Sequence, residues 1–206
     1  MSLRRIGLLG GSFDPPHLAH LALARQAQRA LALDELRWLP AGAPWQKAGR
    51  EMADGTHRAA MIRALVADEP GQVVDERELH RQGLTYTIDT VRALQAEQPQ
   101  AQWFFILGQD QYARFDTWRD WPELLQRLTL AVAGRAGQPP QAPAALQAVP
   151  HRIQTLDLPA MPHAASDIRH ALAHGQSVTP LVGERVAGYI DQHRLYTRGQ
   201  PQSTRN

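Results

Sequence analysis

The chain contains no cysteine among its 206 residues. That removes disulfides, thiolate metal sites and cysteine nucleophiles together. A strong charge of one sign is also missing, since 22 Lys and Arg against 20 Asp and Glu leave a formal net charge of +2. Such a balance argues against a nucleic-acid face and suits a local anion site. No apolar run reaches the roughly 18 residues of a membrane span, and the N-terminus has no signal-peptide core. The expectation is a cytoplasmic protein without membrane partners. No internal repeat is visible, and no pair of carboxylates marks a dedicated metal site. Residues 197–206 lack apolar side chains and are expected to form a flexible tail.

What is present is enough apolar material for a core, at 43%. The expected organisation is one domain over residues 1–196. Apolar runs at Ile6–Leu9, Leu36–Pro40, Val73–Asp75, Trp103–Leu107, Leu128–Val132 and Ile153–Leu158 read as strands. Helical spacing is expected over His17–Leu31, Thr56–Val66, Pro122–Arg127, Ser166–Ala173 and Glu184–His193, and from the Thr85–Thr90 stretch onward. Gln138–Pro150 reads as a surface excursion, and Ala41–Asp54 as a loop long enough to be functional. Strands alternating with helices argue for an open parallel α/β sheet with helices on both faces. Ligands of such sheets bind at the carboxyl ends of the strands. The turns at Gly10, Pro40, Gly108 and Gly134 should therefore line one crevice.

The stretch Gly10-Gly11-Ser12-Phe13-Asp14-Pro15-Pro16-His17-Leu18-Ala19-His20 joins the first strand to the first helix. Its glycines allow close backbone approach, and the helix start behind them offers N–H groups to an anion. His17 and His20 are three positions apart and so share one face of the first turn. Two imidazoles beside a glycine turn and a helix N-terminus make a phosphate site.

This stretch resembles the signature of the HxGH nucleotidyltransferases, and specifically the bacterial nicotinate-nucleotide adenylyltransferases. The second glycine of that pattern is Ala19 here. Ala164-Ala165-Ser166-Asp167-Ile168-Arg169 is similar to the family's S-S-T-x-I-R, with Ala164 and Ala165 in place of two hydroxyl residues. The resemblance implies a Rossmann-like fold and adenylyl transfer from ATP to nicotinate mononucleotide, in NAD biosynthesis. It assigns His17, His20, Lys47 and Arg169 to catalysis. It places Gly10, Gly11, Ser12, Phe13, Arg135 and Ser166 around ATP and its phosphates, Ser166 as the cap of its helix. Thr87, Asp110 and Trp118 fall to the mononucleotide, with Trp118 stacking on the pyridine ring and the Trp118 loop N–H groups and Thr87 receiving its carboxylate.

The implied reaction is attack by a phosphate oxygen, already ionised at neutral pH, on the α-phosphorus of ATP. It asks for positioning and charge stabilisation rather than a protein nucleophile. Mg²⁺ is expected to arrive on the ATP phosphates. Rival readings are an amidated or other phosphorylated acceptor, and a non-catalytic nucleotide-binding module. A His17–His20 transition-metal pair lacks a nearby third ligand. Homo-oligomerisation is left open by the sequence.

Overall fold

The computed structural model describes residues 3–42, 52–134, 138–157 and 164–197. Its framework is a six-stranded sheet built from β1 (Arg5–Gly11), β2 (Glu35–Pro40), β3 (Gln72–Val74), β4 (Gln102–Gly108), β5 (Thr129–Ala133) and β6 (Arg152–Leu156). All pairings are parallel, in the order β3-β2-β1-β4-β5-β6. The central strands are continuous apolar runs because both of their faces are covered. Trp103 to Leu107 of β4 are all buried, as are all five residues of β5.

Side chains alternate between the two faces, and each face has its own helices. Leu8, Phe105, Leu130 and Val132 point to the side of α3 (Thr87–Glu97) and α5 (Trp121–Arg127), meeting Ile88, Val91, Leu94 and Leu124. Leu9, Phe104, Ile106 and Ala131 point to the opposite side, toward α1 (Leu18–Ala30) and α2 (Gly55–Leu65). Leu21, Ala24 and Ala27 give α1 its inward stripe, with Ile62 contributed by α2. A third cluster joins Met61 of α2 to α7 (Ala165–Ala173), α8 (Thr179–Val182) and α9 (Glu184–Gln192) through Ile168, Val182, Val186 and Ile190.

From β1 the chain steps outward through β2 to β3 and then returns to place β4 on the other flank of β1. That reversal opens a crevice at the carboxyl ends of β1 and β4, as the alternating pattern predicts. Two expectations need correction. The Gln138–Pro150 stretch is not wholly a surface excursion, because α6 (Ala144–Gln147) turns within it and buries Leu146 completely. Gln141 also exchanges two hydrogen bonds with Gln109, fastening the excursion to α4 (Gln109–Tyr112) behind β4. Second, α7 starts at Ala165 with Ala164 at the N-cap. Ser166 therefore lies inside the first turn and does not cap it. Leu158, placed at the end of the sixth strand, lies outside the described residues.

Candidate active site

β1 runs out at Gly11, and the chain turns sharply before α1. A Cβ on Gly11 would lie 3.1 Å from the Phe13 ring, so the small residue lets that ring fold back over the turn. Phe13 itself is in the left-handed region at φ 48°, which costs a non-glycine residue about 1 kcal/mol or more. Burial offsets this, since Phe13 packs at 5.1 Å from His20 and 5.2 Å from Trp38. Phe13 thus supports the histidine from beneath. Its ring, 2% exposed, is not available to stack on a nucleotide.

His17 sits at the N-cap of α1 in extended backbone, and no acidic residue occupies the first turn. His17 donates its backbone N–H to Nδ1 of His20 at 3.3 Å, and the two rings stack with centroids 3.7 Å apart. With Nδ1 accepting, the ring hydrogen of neutral His20 belongs on Nε2, which is a donor suited to an anionic oxygen.

Arg169 comes to this motif from the far end of the chain. Its Nη1 donates to the Asp14 carbonyl at 2.6 Å and stands 3.8 Å from the Asp14 carboxylate. Ser166 is exposed in the first turn of α7, with its hydroxyl 3.3 Å from Asp167 Oδ1. Lys47 and Arg135 lie outside the described residues. Gly10 and Ser12 lie at the rim of the same turn, exposed and half-buried respectively.

The other flank of the crevice carries the remaining expected residues. Asp110 is exposed in the first turn of α4, directly after β4. Thr87 begins α3 behind Tyr86 at its N-cap. Trp118 stacks on Phe115 at 5.0 Å and meets Phe105 edge-on at 5.6 Å. Arg119, next in the chain, covers the Tyr86 ring at 4.6 Å and so joins the Trp118 loop to the start of α3. One part of the expected arrangement fails. The Trp118 backbone N–H is committed to the Phe115 carbonyl at 3.0 Å, closing the short turn Phe115–Thr117, and cannot receive a carboxylate.

Three buried polar groups escaped the sequence reading. Arg58, 2% exposed, donates to the carbonyls of Ala53, Ser12 and Ala41 at 2.8–2.9 Å. It ties the first motif, the turn after β2 and the start of α2 together. Burial lowers its pKa, with Asp14 opposing that shift. Asp14, 3% exposed, accepts from the Ala53 N–H at 3.1 Å and the Tyr196 hydroxyl at 2.7 Å. Glu78, on the far side, accepts from Thr90 at 2.8 Å, and Thr90 accepts from Arg81 at 3.1 Å. A signal for Arg58 does exist in the sequence. It holds the inward phase of α2 with Met61, Ile62 and Leu65, where a charged side chain needs partners.

Imidazoles, a guanidinium and two helix N-termini form a donor set for phosphate oxygens rather than for a hard cation. Among the described residues no group of three His, Asp or Glu is placed to hold a metal ion.

The cytidylyltransferase-like family model matches residues 8–171, a span that takes in both the first motif and Arg169. A probable nicotinate-nucleotide adenylyltransferase of Methylibium petroleiphilum is 52% identical over 197 residues, covering 94% of this chain and 92% of the relative. Its counterpart in Bordetella petrii is 50% identical over 198 residues, covering 94% and 100%. Among solved structures, Plasmodium falciparum nicotinic acid mononucleotide adenylyltransferase complexed with NaAD superposes with a TM-score of 0.77 at 16% identity, over 94% of this chain and 97% of that one. A putative nicotinate-nucleotide adenylyltransferase from Vibrio parahaemolyticus gives 0.70 at 18%, over 96% and 98%. At those identities the structures speak for the fold, a Rossmann-like nucleotidyltransferase sheet, and the sequence relatives speak for the family. The chain belongs to the cytidylyltransferase-like nucleotidyltransferases, within the nicotinate-nucleotide adenylyltransferase family.

Proposed function

We propose that the protein transfers the adenylyl group of ATP to the phosphate of nicotinate mononucleotide, in NAD biosynthesis. A phosphate oxygen of the mononucleotide bonds to the α-phosphorus of ATP. The bond from that phosphorus to the bridging oxygen breaks, pyrophosphate leaves, and nicotinate adenine dinucleotide forms. One observation carries the reading. Arg169, distant in sequence, is hydrogen-bonded to Asp14, in the same turn that leads into the His17–His20 pair. The result is a compact set of donors at the carboxyl end of the central strand, where a triphosphate would be gripped.

In this reading the Nε2 group of His20, His17 and the Arg169 fork meet the negative charge that grows on the bridging and leaving oxygens. Lys47 and Arg135 add charge to the same phosphates. Gly10, Gly11 and Ser12 let the backbone lie close, and the first-turn N–H groups around Ser166 face the triphosphate from α7. Phe13 acts from below by fixing His20. Mg²⁺, carried by the ATP phosphates, would neutralise part of their charge. Asp110 takes the ribose hydroxyls of the acceptor, and Thr87 its carboxylate. Trp118 covers the pyridine ring, its other face already backed by Phe115.

The assay is direct: ATP and nicotinate mononucleotide are supplied together and the products separated. Pyrophosphate and dinucleotide are expected in equal amounts. ADP in place of pyrophosphate would mean phosphoryl transfer, and no turnover of the mononucleotide at all would make the fold a binding module.

A further inference from the structure

Asp14 belongs to the first motif, yet its carboxylate is turned away from solvent and toward the end of the chain. At 3% exposure it needs full pairing, because a buried unpaired carboxylate costs several kcal/mol. Oδ1 has that pairing from two directions, the Ala53 N–H at 3.1 Å and the Tyr196 hydroxyl at 2.7 Å. The same residue also receives Arg169, at 2.6 Å on its carbonyl and 3.8 Å from Oδ2. Tyr196 is thus two contacts away from the residue proposed to hold the triphosphate.

We infer that Tyr196 is a positioning residue for Arg169, acting through Asp14. With both donors in place on Oδ1, the carboxylate cannot rotate, and Oδ2 is fixed as the electrostatic partner of the guanidinium. Without the hydroxyl, Oδ1 keeps one of its two donors among the described residues, the Ala53 N–H, and the carboxylate beside the Arg169 guanidinium is less firmly oriented. Two further observations fit this role. Tyr196 is held at φ 64°, a conformation that persists in a non-glycine residue only where its surroundings dictate it. The ring also packs against the cluster of Val186, Ile190 and Leu195, which holds the hydroxyl at Asp14. Burial and the neighbouring Asp14 push the phenol's pKa up, so it remains a donor throughout the physiological range. The last described turn of the chain is in this way built into the ATP side of the site.

The inference rests on the proposed phosphate role of Arg169, and the test separates the two. Tyr196→Phe, Arg169→Ala and the double variant are compared with the parent enzyme for KM of ATP, KM of nicotinate mononucleotide and thermal unfolding. Tyr196→Phe keeps the ring and should unfold cooperatively within a few degrees of the parent. Its ATP KM should rise roughly five- to tenfold, the scale of one ordinary hydrogen bond, because the effect reaches Arg169 only through Asp14. The mononucleotide KM should stay within about twofold, and adding Tyr196→Phe to Arg169→Ala should change nothing further, since both act on one contact. If Arg169→Ala raises the ATP KM and Tyr196→Phe does not, the inference fails alone. Equal changes in both KM values, or full additivity in the double variant, would also overturn it. An Arg169→Ala variant with unaltered ATP KM would remove the underlying reading as well.

Discussion

His17 and His20 stack at 3.7 Å, a separation at which two full positive charges would repel strongly. His17→Ala and His20→Ala should each leave the unfolding curve nearly unchanged and lower turnover by on the order of 100-fold, about 2.7 kcal/mol of transition-state stabilisation. A double variant with near-parental turnover would contradict the role. These histidines were legible because their chemistry is local: a glycine turn, two prolines and two imidazoles within eleven positions. Asp14, Arg58 and Tyr196 were not. All but one of the side-chain hydrogen bonds they make, that of Arg58 to the Ala53 carbonyl, span 17 to 182 positions, and no spacing rule reports such contacts.

At the scale of elements, α3 is held at its start by Arg119 on Tyr86 and one turn later by Thr90 on Glu78. Gly42, after β2, is needed for the same junction, since a Cβ there would lie 2.1 Å from the Glu78 carbonyl. Burial raises the Glu78 pKa above its ordinary value, opposed by the Thr90 hydrogen bond and by Arg81. In the unfolded chain this group ionises first, so between the two pKa values the folded state holds the extra proton. Raising the pH through that interval removes the proton and costs stability. Glu78→Gln keeps an acceptor for Thr90 and abolishes the titration. The variant should gain on the parent in thermal midpoint as the pH rises from about 4 to 8, with the gap narrowing at the acid end. A gap independent of pH, or one widening toward acid, would contradict the assignment. The elements themselves were mostly legible. The first turn of α7 was misjudged because Ala164 caps it through backbone conformation alone, without the hydroxyl that sequence reasoning looks for.

For the whole molecule, apolar runs alternating with helical stripes made the parallel sheet legible but not its order, β3-β2-β1-β4-β5-β6, which brings the β1 and β4 turns to one edge of the sheet. The β6 edge was harder to bound. Arg152, Ile153, Gln154 and Thr155 are all exposed, so no alternation marks where the strand begins or ends. α8 was missed because its four residues are too few for a helical period. The crevice has two flanks of different character. The β1 side gathers His17, His20 and Arg169, while the β4 side presents Asp110, Thr87 and an aromatic loop clasped by Arg119. The acceptor chemistry proposed for this second flank is a carboxylate on the pyridinium ring, accepting from the Thr87 hydroxyl. The decisive measurement is a competition in one vessel, with equimolar nicotinate and nicotinamide mononucleotides and limiting ATP, followed by quantification of both dinucleotides. The acid product should exceed the amide product by at least roughly tenfold. Equal amounts, or an excess of the amide dinucleotide, would contradict the assignment of nicotinate mononucleotide as acceptor.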